Sequence, residues 1–244
     1  MNNPKLIGSG LVDCVPQTGK CPHNCDSCFY NLGFYRSIDE PLIPSIEESN
    51  DKIVRMNSGH DSALQKDLVL ETSSKYKDVF FNTSTTDLNF PGPVVMTANP
   101  ARLTDKSFHK IKNIPKNLMF VRARVNLWNT DVVRDIIEYY QSKVPVVLTY
   151  MRYYDQESIP DGTFYFDCGE AKYKDLYTLK KHILRDYYSL SSDDTRNDFN
   201  RYITEYLICS NNIYKCGSHW SSLCFSCGNC IREYYNTKER MKSE

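Results

Sequence analysis

The chain has no excess of charge of either sign: thirty lysines and arginines balance thirty aspartates and glutamates over 244 residues. Such a balance creates no overall positive field to gather DNA, RNA or an anionic membrane, and no basic run is interleaved with aromatics. There is accordingly no strong nucleic-acid signal. Nowhere do about eighteen apolar residues run together, as a membrane-spanning helix requires. The opening MNNPKLIGSGLVDCVPQ lacks the charged segment and the apolar stretch of about 7–15 residues that make a signal peptide. A soluble, cytoplasmic protein with no membrane partner is expected. Tandem repeats and low-complexity segments are also absent. The length suits one α/β domain with a short appendage.

Cysteine, by contrast, is plentiful, with ten in the chain. In a reducing compartment disulfides are not the usual reason to keep so many, so metal binding or catalysis is the better reading. Their positions support it: three lie between Cys21 and Cys28, four between Cys216 and Cys230, and only Cys14, Cys168 and Cys209 stand apart.

Leu11 to Val15 reads as a strand, and Pro16 to Cys28 as a loop broken by two prolines and Gly19. Ser45 and Glu48 have capping-box spacing and predict a helix through SIEESNDKIVRM, with a second helix from Leu64 to Tyr76. Strands follow at Val79–Ser84 and Pro93–Ala98. The clearest unit is LMFVRARVN as a strand, a helix capped by Thr130 with Val132, Val133, Ile136, Ile137 and Tyr140 on one face, and VPVVLTYM as the returning strand. Strand, helix and strand at this spacing imply a parallel crossover. A helix around Tyr173 to Leu190 and a short strand around Tyr206 to Cys209 complete about six βα repeats. The expected fold is α/β: a partial (βα)6 TIM-like barrel over residues 1–208, with a small C-terminal cysteine-rich lobe over 209–244. Within the central strand Arg122, Arg124 and Asn126 share one face, while Val121, Ala123 and Val125 share the other. If helices cover the apolar face, the polar one looks into a cavity, joined by Asn82 and Ser84, and by Thr97 and Asn99; an edge strand with one wet face is the alternative.

The segment Cys21-Pro22-His23-Asn24-Cys25-Asp26-Ser27-Cys28-Phe29-Tyr30 spaces its cysteines C-x3-C-x2-C, with no fourth cysteine nearby. Three thiolates on one loop can hold three irons of a 4Fe-4S cluster and leave the fourth iron open. A zinc knot completed by His23 or a distant cysteine is the alternative, although zinc ligands usually come as C-x2-C or Cys/His couples. In the loop after the first strand of a parallel βα barrel, this spacing resembles the signature of the radical S-adenosylmethionine (SAM) superfamily. The resemblance implies that the amine and carboxylate of SAM chelate the open iron. It implies that an electron, renewed by an external donor such as flavodoxin or ferredoxin, cleaves the carbon-sulfur bond. The 5'-deoxyadenosyl radical so formed would take hydrogen from a peptide, nucleotide or small-molecule substrate. Ser27 stands where the family usually has an aromatic, leaving Phe29 or Tyr30 to pack near the adenine. FNTST replaces the family's glycine-rich motif, leaving Asn82, Thr83 and Ser84 for the SAM amine. Arg122, Arg124 and Asn126 are candidates for its carboxylate and ribose hydroxyls, since guanidinium pairs naturally with carboxylate.

Near the C-terminus, Cys216, Cys224, Cys227 and Cys230 supply four ligands, enough to close a site. The run C-x2-C-x2-C resembles the ferredoxin arrangement, and many radical SAM proteins carry such an auxiliary cluster. Two 4Fe-4S clusters are therefore expected, one SAM-binding and one auxiliary, with tetrahedral zinc as the alternative at the second. Cys14 and Cys209 read as buried apolar thiols. Cys168, in FDCGE, has the same reading and a catalytic one, as hydrogen-atom donor to a product radical. Three functions fit these features: a radical SAM enzyme, a glycyl-radical enzyme activating protein, and a non-catalytic zinc or iron-sulfur nucleic-acid-binding module. Charge balance argues against the last.

Overall fold

Short β-branched and aromatic runs separated by polar loops build the main sheet: β1 (Leu11–Cys14), β2 (Ile53–Met56), β3 (Val79–Thr83), β4 (Val94–Thr97), β5 (Leu118–Val125) and β6 (Val146–Tyr150). In the computed structural model the described residues are 3–25, 28, 30–31, 37–103, 107–125, 129–150, 152–153, 164–167, 170–173, 177–181, 188–190, 210–216 and 223–243. Phe29, Asn126, Cys168 and Cys209 lie outside them. Strands β7 (Arg152–Tyr153), β8 (Phe164–Asp167), β9 (Glu170–Tyr173), β10 (Tyr177–Lys181) and β11 (Tyr188–Leu190) form a second, antiparallel sheet in the order β7-β11-β10-β9-β8. The chain then returns to the first sheet as β12 (Ile213–Cys216), beside β6. The first sheet is thus seven-stranded, ordered β1-β2-β3-β4-β5-β6-β12, with every pairing parallel. It curls into a half-barrel, an α/β architecture consistent with a partial TIM-like barrel.

Parallel strands need crossovers, and the helices that serve them cover one face. Those described are the single turn α1 (Ile46–Ser49), then α2 (Lys66–Ser73) and α3 (Thr130–Tyr140). Val132, Val133, Ile136, Ile137 and Tyr140 of α3 are buried in one cluster with Val121, Ala123 and Val125 of β5. Each buried valine or isoleucine there contributes roughly 1.5–3 kcal/mol relative to exposure. The other face of the sheet, the inner face of the half-barrel, carries a second cluster built on Leu11, Ile53, Phe80, Val95, Phe120 and Val147. The C-terminal helix α5 (Asn229–Lys242), preceded by the short α4 (Cys224–Cys227), places Tyr234 in that cluster. Toward the C-terminal ends of the strands the inner positions turn polar, with Asp13, Arg55, Asn82, Thr97, Arg122, Arg124 and Thr149. That end is where barrels of this kind bind ligands.

Three local expectations change. The capping box at Ser45 and Glu48 forms, but its helix stops at Ser49; Asp51 adopts φ +57°, and Ile53–Met56 enters the sheet as β2. A β-branched pair flanked by a left-handed residue suits a strand between two others better than a continued helix. Asn129, not Thr130, occupies the cap position of α3. The described residues of the span around 173–190 lie in strands β9, β10 and β11 where a helix is predicted, and the strand expected around 206–209 lies outside the described residues. Among the described residues no helix is long and apolar enough to cross a membrane.

Candidate functional site

The first cysteine loop leaves the end of β1 and is fastened at both sides. Val15 exchanges backbone hydrogen bonds with Leu42, and the Gly19 N–H donates to the Ile38 carbonyl. Gln17 is buried below the loop: its amide donates to the Asp61 and Leu64 carbonyls and accepts from Asn57 at 2.6 Å. Within the loop, the Cys21 N–H donates to Asn31 Oδ1 at 2.9 Å, and the Cys28 N–H to the Cys25 carbonyl at 3.3 Å. Tyr30 is buried, its hydroxyl donates to the Gly19 carbonyl, and its ring lies edge-on to His60. A Cβ on Gly59 would come 2.4 Å from that ring, so only glycine fits there.

Asp61 joins this loop to the end of β3. It accepts from the Thr83 hydroxyl at 2.8 Å, the Ser84 hydroxyl at 2.6 Å, and the backbone N–H groups of Ser84 and Ala63. His23, between the first two cysteines, places Nε2 3.2 Å from Asp61 Oδ2, an ion-pair distance without hydrogen-bond alignment. Burial alone would raise the Asp61 carboxyl. His23, the Ser84 hydroxyl and the two backbone donors outweigh it and hold the group below its ordinary 3.8.

Cys21 is buried, and Cys25 and Cys28 half-buried. Burial pushes the Cys21 thiol up to about 11, with further contributions from Asp61 and from the other two cysteines. Burial also raises Cys25, followed by Cys28; an N–H of Arg102 and the charges of Arg124 and Arg102 oppose the rise. The three cysteines therefore act on one another, and the charges of two arginines act on the middle one. Arg102 is held by a hydrogen bond to the Ser84 carbonyl at 2.7 Å. Arg124 donates from Nη1 to the Asn99 carbonyl at 3.0 Å, and its backbone exchanges hydrogen bonds with the Asn99 side chain.

Of the sequence-predicted residues, Thr83 and Ser84 are engaged by Asp61, whereas Asn82 donates to the Met56 carbonyl and accepts from Arg122 at 3.2 Å. Arg122 and Arg124 are half-buried on the inner face, while Val121, Ala123 and Val125 are fully buried on the opposite one. Cys14 belongs to the apolar cluster around α3.

The second cysteine set lies on the same inner face. Cys216 ends β12, and Cys216, Cys224 and Cys230 pack against the apolar cluster that includes Ile53, Phe120 and Val147. Gly228, at φ +64°, turns the chain between α4 and α5, and the Asn229 amide donates to the Lys215 carbonyl at 2.8 Å. Hydrogen bonding to Cys227 and burial raise the Cys216 thiol well above its ordinary value, and burial and Cys216 push Cys230 up to about 12. Beside them Arg55 makes a two-pronged, buried ion pair with Asp13 at 2.6 and 3.2 Å, and Ser58 also donates to Asp13.

All eight described cysteines are free thiols. Among the described residues no three His, Cys, Asp or Glu side chains are gathered as a metal cage. Thiols in two sets, acting on one another and reached by the charges of arginines, are donors of the kind that iron-sulfur clusters and zinc both take. Sequence reasoning missed Asp61, Gln17 and the Asp13–Arg55 pair. For the pair a signal existed, since LVDC and IVRM each carry one charge of opposite sign inside an apolar strand. GHDSAL carries no comparable mark for Asp61. Compared with family models, curated proteins and solved structures, the chain matches none.

Proposed function

We propose that this chain is a radical SAM enzyme with Cys21, Cys25 and Cys28 as the ligands of a SAM-binding 4Fe-4S cluster. The observation that carries the reading is their placement. They share the loop directly after the first strand of a parallel half-barrel, at the end where such folds bind ligands, and Arg124 and Arg102 bear on Cys25. When bound, the cluster would supply the electron that splits the carbon-sulfur bond of SAM and leaves a 5'-deoxyadenosyl radical to take hydrogen from substrate. The chain's own residues have simpler tasks. Arg124, rigidly oriented by Asn99, presents a guanidinium to the SAM carboxylate. Asp61 holds the cysteine loop against β3 through His23, Thr83 and Ser84. Tyr30, packed on Gly59, supports the loop from below and is not exposed to stack on adenine.

The 209–244 extension supplies β12 and α5 to the half-barrel, and we assign Cys216, Cys224, Cys227 and Cys230 to a fully ligated auxiliary 4Fe-4S cluster. The substrate would be a peptide, nucleotide or small metabolite, with electrons from flavodoxin or ferredoxin. Anaerobic reconstitution tests the assignment by iron content. The wild type should carry about eight irons, and the variant with Cys21, Cys25 and Cys28 replaced by alanine about four. Zinc in place of iron at the first triplet would contradict the reading.

A further inference from the structure

Thr149 is the penultimate residue of β6 and sits on the inner face of the half-barrel. Among the described residues its Oγ1 is sealed from solvent and has no hydrogen-bond partner. Buried hydroxyls are ordinarily hydrogen-bonded, so the neighbours of this one decide what it can serve. Register partners in a parallel sheet share a face and lie about 4.8 Å apart. Thr149 has two, Arg124 on β5 and Cys216 on β12. Arg124 cannot receive the hydroxyl proton, because a guanidinium carries donors only. Val147, two residues earlier on the same face, is apolar and belongs to the inner cluster. Cys216 is the neighbour left to accept, and it packs against that same cluster with Cys224 and Cys230. A thiol sulfur accepts weakly, whereas a metal-bound thiolate takes hydrogen bonds readily.

We propose that Thr149 is a positioning residue of the C-terminal cysteine site, its Oγ1–H donating to the Cys216 sulfur when that sulfur is a metal-bound thiolate. The inference rests on reading Cys216, Cys224, Cys227 and Cys230 as a metal site. The hydrogen bond would orient the sulfur and spread its negative charge, as outer partners of metal ligands do. One side chain then acts with opposite sign in two samples. Without metal its hydroxyl is a buried dipole with nothing to offset its lost hydration, and with metal it stabilises the ligand.

Full-length protein with Cys21, Cys25 and Cys28 replaced by alanine isolates the second site for anaerobic titration with cobalt(II), which occupies tetrahedral thiolate sets of the kind zinc takes. The sulfur-to-cobalt charge-transfer band is the readout, because a hydrogen bond to a thiolate lowers the energy of its lone pairs. Thr149→Val keeps the shape and removes the hydroxyl. It should move the band to longer wavelength and weaken cobalt binding about 10-fold, the low end for an outer partner because this donor is neutral. Thr149→Ser should keep the parent's band. Without metal, Thr149→Val should resist urea at least as well as the parent, since the added methyl replaces a buried polar group that had no partner. A side chain that merely packs would give no band shift. An unmoved band with parent-like affinity in Thr149→Val overturns the proposal. So does a Thr149→Val less stable than the parent without metal, or a Thr149→Ser whose band shifts as far as the valine variant's. A parent that develops no cobalt bands overturns the metal site on which the proposal stands, an outcome distinct from these.

Discussion

Asp61 shows how much of the first loop depends on a residue with no motif to announce it. Its side chain is 2 % exposed and gathers hydroxyls, backbone N–H groups and His23 at once. Asp61→Ala would leave those donors buried without an acceptor and should cost about 3 kcal/mol, read as a lower urea midpoint. The sign of its pH dependence follows from a carboxyl held below 3.8 in the fold. Its stabilisation is complete above the unfolded value and is lost as pH falls from there through the depressed folded one. Acid titration of the wild type should therefore show a loss of stability below about pH 4 that is smaller in Asp61→Ala. The Asp13–Arg55 pair behaves differently. Asp13→Ala strands a buried guanidinium and should cost about 3–5 kcal/mol, whereas the double replacement Asp13→Leu with Arg55→Met should restore most of it. A double variant as unstable as the single one would assign the pair a role beyond mutual neutralisation. At this scale the grouping of the cysteines into two sets was legible, because spacing survives in sequence. Asp61 was not, because its partners come from three separate segments.

Helices and strands were legible where periodicity was strong. The unit from Leu118 to Tyr150 has the predicted form, since α3 repeats its apolar residues at helical spacing and β5 alternates apolar and polar. Short elements were harder to read. A single turn at α1 followed by β2 is indistinguishable by capping signal from a longer helix, and what decides against it is the pairing of Ile53 to Met56 with two neighbouring strands. The seventh strand also depends on a long-range partner, Val146 to Thr149. Helix α5 is held to the inner face by Tyr234, whose hydroxyl donates to Asp78 at 3.0 Å, and by Arg240, which donates to the Lys116 and Leu118 carbonyls. Tyr234→Phe should cost about 1–2 kcal/mol, and Tyr234→Ala about 3–5. Denaturant unfolding of both variants checks this; a neutral alanine variant would mean that α5 contributes little to the sheet.

Across the whole molecule, one parallel sheet carries two cysteine sets distant in sequence, the first in the loop at the end of β1 and the second against its inner face. The first reaches it by the loop after β1, the second by β12 and the two helices that follow. The polar strand ends bear Arg55, Arg122 and Arg124, whose charges act on cysteines of both candidate centres. The central claim is that the first of these centres cleaves SAM. The most direct measurement is 5'-deoxyadenosine formed when anaerobically reconstituted protein is reduced in the presence of SAM. Wild type should produce it, and the variant with alanine at Cys21, Cys25 and Cys28 should produce none while keeping its C-terminal metal. Iron-loaded wild type that forms no 5'-deoxyadenosine under several reductants, or a triplet variant that still forms it, would contradict the account.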